Sequence, residues 1–137
     1  MMYKIQQLNE QLIYIRWNRT PGDAECKAFM TELRALVHNN EKGLYFISDL
    51  RKGRIIDLDT INQLSRLTEH KNWLGSVAFT INPLSNIFAG TYRNMLIKEK
   101  EKNIIVPEAD KAVAFLESLQ EGLTIDIDWA TVLDLNP

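Results

Sequence analysis

Apolar and polar positions along the chain change period several times, and each change marks an element. Met2 to Leu8 and Leu12 to Trp17 alternate with the period of strands around a polar turn at Asn9-Glu10, which reads as a hairpin. In its second strand Ile13, Ile15 and Trp17 share one face, and Leu12, Tyr14 and Arg16 share the other. Lys4 and Gln6 alternate into the first strand, so one side of the hairpin is expected to be wet. Thr20-Pro21-Gly22-Asp23 reads as a helix start, with Thr20 as cap, Pro21 in the first turn and Asp23 as the acidic partner. The stripe Cys26, Phe29, Met30, Leu33, Leu36 and Val37 then recurs at helical spacing until Asn39, Asn40 and Gly43.

Leu44-Tyr45-Phe46-Ile47 is a continuous apolar run, the mark of a strand buried on both faces. The polar loop Arg51-Lys52-Gly53-Arg54 follows, then Ile55-Ile56. Asp57 or Asp59 caps a second helix with the stripe Leu58, Ile61, Leu64 and Leu67. Val77 to Ile81 is another buried strand. Asn82-Pro83 opens a third helix carrying Leu84, Ile87, Phe88, Tyr92, Met95 and Leu96. Asn103 to Val106 is a short core strand, and Pro107 opens a fourth helix with Ala112, Val113, Phe115, Leu116 and Leu119, stopped by Gly122. Phe46, Ile47, Val77, Phe79, Ile104 and Ile105 are expected to be buried in adjacent strands.

Strands alternating with helices in this order predict an α/β fold. Its mixed sheet has an N-terminal antiparallel hairpin followed by parallel strands in βα units, with four helices in one domain over residues 1–122. Residues 123–137 form an apolar tail. Leu123, Ile125, Ile127 and Trp129 alternate with Thr124, Asp126 and Asp128 like a half-buried strand. Such a tail docks either on its own domain or on a second chain, where Ile125, Ile127 and Trp129 would make a homodimer contact.

Composition narrows the function rather than naming it. The chain has 137 residues, 45% hydrophobic and 25% charged, with a net charge of −2. Those values are ordinary for a globular domain, and no basic block suggests a nucleic-acid partner. No apolar run reaches the length of a membrane span, and the first residues lack a signal-peptide core, so a cytoplasmic protein is expected. The single cysteine, Cys26, lies on the apolar stripe of the first helix and reads as core. His38 and His70 fall at the ends of the first two helices, where a cation answers the helix dipole. Neither the histidines nor Cys26 has the spacing of a metal site, and no phosphate-binding glycine loop is present: Gly90 falls inside the third helix. No metal, cofactor or catalytic residue is expected. Asp49, Asp57 and Asp59 gather near a strand end, where α/β sites tend to lie; one reading is a metal or phosphate-relay site, and the preferred one is a turn followed by a helix cap.

The stretch DLRKGRIIDLDTI, Asp49 to Ile61, resembles the signature region of STAS domains, the anti-sigma-factor-antagonist family. That family has a strand ending in Asp-Leu, a loop, and Asp-Ser-Ser-Gly opening a helix. Asp49-Leu50 matches the strand end, Asp57 the motif's Asp, Asp59 the phosphorylated Ser and Thr60 the Gly. Leu58 and Asp59 replace both serines, so Asp59 brings a fixed negative charge where a phosphate would be added. Thr60 is a substitute acceptor one position away. The chain as a whole is similar to divergent STAS-like proteins of bacteria.

The resemblance implies helices gathered mainly on one side of the sheet. It also implies a non-enzymatic regulatory domain whose partner is an anti-sigma factor or a kinase. The contact surface would comprise Arg51, Lys52, Arg54, Asp57, Leu58, Asp59 and Thr60. The second reading is a carrier of a small molecule, lipid or nucleotide, with Phe79, Phe88, Tyr92 and Met95 lining its pocket.

Overall fold

A computed structural model describes residues 2–81 and 102–134. Five strands form one sheet in chain order: β1 (Tyr3–Gln7), β2 (Leu12–Trp17), β3 (Leu44–Asp49), β4 (Trp73–Ile81) and β5 (Asn103–Glu108). β1 pairs antiparallel with β2, and every later pairing is parallel. Four helices are present among the described residues: α1 (Asp23–His38), α2 (Leu58–Leu67), α3 (Ala109–Leu119) and the one-turn α4 (Trp129–Val132). The α/β fold with an antiparallel hairpin leading into parallel strands is therefore the observed one. The helix expected from Asn82-Pro83 lies outside the described residues.

The alternation within β2 sorts the core into two layers. Ile13, Ile15 and Trp17 meet Phe29, Met30, Leu33 and Val37 of α1, together with Phe46, Leu67 and Trp73. Leu12 and Tyr14 point the other way, to Ile47, Val77, Phe79 and the buried face of α3. Phe46 stacks on Trp73 with ring centroids 4.0 Å apart. Helices thus cover both faces of the sheet, α1 and α2 on one and α3 on the other, where the STAS resemblance implied mainly one. β2 is buried on both faces, so the wet positions of the hairpin, such as Lys4 and Gln7, are confined to β1.

Several local expectations are corrected. α1 is capped at Gly22, not Thr20: Pro21 is buried in an extended lead-in, and Gly22 N–H donates to the Glu25 carboxylate at 2.9 Å. Pro107 lies inside β5 rather than opening a helix, which an edge strand tolerates because one row of its backbone groups is unpaired. Being at the edge also explains Ile105. Val106 points into the α3 layer and Ile104 packs partly against it, while Ile105 is 66% exposed on the opposite face.

The tail is not a strand. The Glu117 carboxylate accepts from Thr124 N–H (3.1 Å), Thr124 Oγ1 (2.6 Å) and Gly122 N–H, which folds residues 121–124 into a turn. Asn9 in the hairpin turn donates to the Leu123 carbonyl at 2.9 Å, and the Trp129 indole donates to the Thr124 carbonyl at 3.3 Å. Leu123, Trp129 and Leu133 are buried with α3, Ile127 packs partly against them, and Ile125 is exposed. The three residues expected to share a dimer-forming face are therefore split between core and surface.

These placements separate Trp129 from Ile125 in their effect on stability. Trp129→Ala should cost about 3–5 kcal/mol in chemical denaturation, the range for emptying a large core site. Ile125→Ala should stay within about 0.5 kcal/mol of the parent, as for an isolated surface residue. Equal effects of the two would contradict the docked tail.

Candidate functional site

The carboxyl end of β3 holds the most concentrated polar group among the described residues. Asp49 is 1% exposed, and burying a carboxylate is costly unless donors surround it. The Tyr14 hydroxyl donates to its Oδ2 at 2.6 Å. Arg51 supplies three more bonds: its backbone N–H to Oδ1 (3.1 Å), Nε to Oδ1 (2.9 Å) and a terminal nitrogen to Oδ2 (2.6 Å). That same nitrogen donates to the Leu133 carbonyl at 2.7 Å, and the guanidinium lies 5.8 Å from the Phe79 ring centroid. Burial first, then the bond to Asp49, pushes the Tyr14 hydroxyl well above its ordinary range. The hydrogen bond to Asp49 likewise holds the Arg51 guanidinium more firmly protonated. Asp49, Tyr14 and Arg51 are spent on one another and on the tail.

The loop beyond them is held close to the hairpin. A Cβ on Gly53 would come within 2.3 Å of the Arg19 backbone, so only glycine lets the β3–α2 loop pass there. Lys52 and Arg54 on either side are exposed. Asp57, rather than Asp59, caps α2: its Oδ2 accepts from Thr60 N–H (2.9 Å) and Thr60 Oγ1 (2.7 Å). Those bonds, the hydroxyl's first, hold the Asp57 carboxyl below its ordinary value. Thr60 itself is buried, its hydroxyl committed to the cap. Asp59 is exposed in the first turn and accepts from Gln63 at 2.9 Å.

The structure therefore divides the seven residues read as a contact surface. Lys52, Arg54, Leu58 and Asp59 face solvent, Asp57 caps the helix, and Arg51 and Thr60 are held inside the fold. Two residues outside that set join the exposed ones: Ile56 is 66% and Ile61 40% exposed, beside Leu58 at 74%. The apolar stripe read for α2 includes both Leu58 and Ile61, and of the two only Leu58 is also expected at the contact surface. Along α2 the packed residues are Thr60 in the first turn, Leu67 and, in part, Leu64. Periodicity reveals a stripe but not how far along it the neighbouring layer reaches.

Of the pocket residues proposed for a carrier, Phe79 is fully buried in the α3 layer, while Phe88, Tyr92 and Met95 lie outside the described residues. An apolar trough between α2 and the sheet, lined by Trp17, Phe29, Leu50, Ile55, Leu64 and Trp73, faces the opposite layer. Among the described residues no group of three His, Cys, Asp or Glu side chains is placed to hold a metal, and no helix is long and apolar enough to cross a membrane. Cys26 is a buried free thiol.

No protein-family model and no curated protein matches this chain. What the structure defines is the class: a single α/β domain with a mixed five-stranded sheet.

The coupling of Tyr14 to Asp49 sets an alkaline limit. In the unfolded chain the hydroxyl ionises near its ordinary 10.0, whereas the fold keeps it protonated. The unfolded state thus binds fewer protons above that pH, and stability must fall as pH rises further. Tyr14→Phe should cost about 1–3 kcal/mol at neutral pH, from loss of a bond to a buried charge. It should also flatten the alkaline decline of the denaturation midpoint; an unchanged alkaline slope would remove Tyr14 from this role.

Proposed function

We propose that the protein is a non-enzymatic, STAS-like regulatory domain that binds a protein partner through the β3–α2 loop and the first turn of α2. The observation that carries this reading is the cluster of Ile56, Leu58 and Ile61. They are three of the six exposed large hydrophobic residues among those described, and they fall within six consecutive positions. Contiguous exposed apolar surface rimmed by charge is what protein interfaces present. Lys52, Arg54 and Asp59 supply that rim.

The patch coincides with the stretch that resembles the STAS signature, and the family makes its partner an anti-sigma factor or a kinase. Asp59 supports a domain without a phosphorylation switch, since it carries charge at the exposed position that matches the family's phospho-serine. Thr60 is a poor substitute because phosphorylating it would require opening the Asp57 cap. This reading places the protein in the cytoplasm of a bacterium. A homodimer through the tail, also proposed from the sequence, would rest chiefly on Ile125. The lipid- or nucleotide-carrier reading has less support, because Phe79 faces away from the apolar trough.

The test is affinity purification of the tagged full chain from its own cells, with Leu58→Asp and Ile61→Asp as surface variants. Both variants should melt close to the parent, because both side chains are exposed. A protein recovered in stoichiometric amount with the parent should be lost with Leu58→Asp and kept by a distant control, Glu41→Ala. A partner indifferent to both patch variants, or none with the parent, would contradict the proposed surface. Intact mass should show no phosphate on Thr60; stoichiometric modification there would overturn the switchless reading.

A further inference from the structure

At the other end of α2, four basic side chains converge on one cleft. Arg34 and His38 stand one turn apart at the end of α1; Arg66 in the last turn of α2 and His70, three residues beyond that helix, repeat the spacing in sequence. All four line the same cleft of about 380 Å³, together with Gln63 and Glu69. The two imidazoles lie with ring centroids 4.7 Å apart, tilted by 45°. Cations at helix C-termini answer the helix dipole, which accounts for one basic group at each end. Two arginines on one cleft go beyond that, because like charges brought together cost free energy unless something negative lies among them.

One carboxylate, Glu69, lines the cleft as well, but it closes no ion pair with these side chains. The ion pairs among the described residues are Arg51–Asp49 and Lys111–Glu108, and neither involves this cleft. Arg34 donates to the neutral amide oxygen of Gln63 at 2.9 Å. The tautomer of His70 follows from its neighbour: Asn72 N–H donates to Nδ1 at 3.0 Å, so a neutral ring carries its proton on Nε2. His70 therefore presents Nε2 as a donor whether charged or neutral. The same bond argues against a metal, since no ring lone pair is left over. Two guanidinium groups and a fixed N–H donor match the acceptor oxygens of a tetrahedral oxyanion.

We propose that this cleft is an oxyanion site that takes a phosphate group, separate from the partner surface at the start of α2. Arg34 and Arg66 would supply the charge, and His70 Nε2–H a directional donor.

The experiment is an NMR titration of the histidine ring signals of the full chain with sodium phosphate, at constant ionic strength, with chloride as the matched control. Phosphate should give saturable shifts of both His38 and His70 that chloride does not reproduce. Arg66→Gln and Arg34→Gln should each weaken binding at least about tenfold, the loss of a charge-assisted bond. Arg54→Gln, at the far end of α2, should leave it unchanged. Phenyl phosphate binding more tightly than inorganic phosphate would assign a phosphomonoester, and equal affinity the free anion. Shifts that follow ionic strength alike in both salts, or affinity indifferent to Arg66→Gln, would overturn the site.

Discussion

A buried carboxylate governs how this domain closes. Asp49 ends a strand whose side chains are hidden on both sides, so its charge must be met by donors the fold brings to it. Tyr14 comes from the neighbouring strand β2, and Arg51 from two residues further along the chain. Because Arg51 has donors to spare, the same guanidinium reaches the Leu133 carbonyl and fastens the C-terminal tail. One unfavourable burial thereby links β2, β3 and the last described turn. Leaving any partner of such a cluster unpaired is far more costly than the cluster's own net contribution.

That arrangement also decides what the β3–α2 connection can offer to others. Its first cation is consumed internally, and its close passage past Arg19 requires Gly53. The chain then emerges with Ile56 and Leu58 outward, and the Asp57 cap fixes the start of α2. Leu58 and Ile61 are thus carried by a capped helix, and Ile56 by the loop just before it. A helix start stabilised by its own cap, with a further carboxylate in its first turn, satisfies the positive end of its dipole without outside help. The two ends of α2 differ in kind: apolar and acidic at its start, basic at its finish.

Much of the fold was legible because strand and helix periods are different and because runs buried on both faces are distinctive. The alternation of β2 foretold which residues join which layer, and the unbroken run at Leu44–Ile47 foretold a central strand. Position within the sheet was harder to read. Ile105 looks like Ile47 in sequence, but it sits on an edge strand with one open face. The tail alternates like a strand, yet Glu117 and Asn9 hold its backbone in a turn, and the Asn9 contact spans 114 positions, which no local pattern carries. At the candidate site the location was legible from Asp49 to Ile61. The division of labour within it was not, because whether an arginine pairs inward depends on a tyrosine 37 positions before it.

The role of Arg51 as a structural tie is tested most directly by amide hydrogen exchange on Arg51→Gln. Residues 123–134 should lose protection well before α1 and β2 do, since the variant removes the link between the β3 end and the tail while leaving the α1 layer intact. Protection of the tail equal to the parent's would contradict the account, as would a loss spread evenly over both layers.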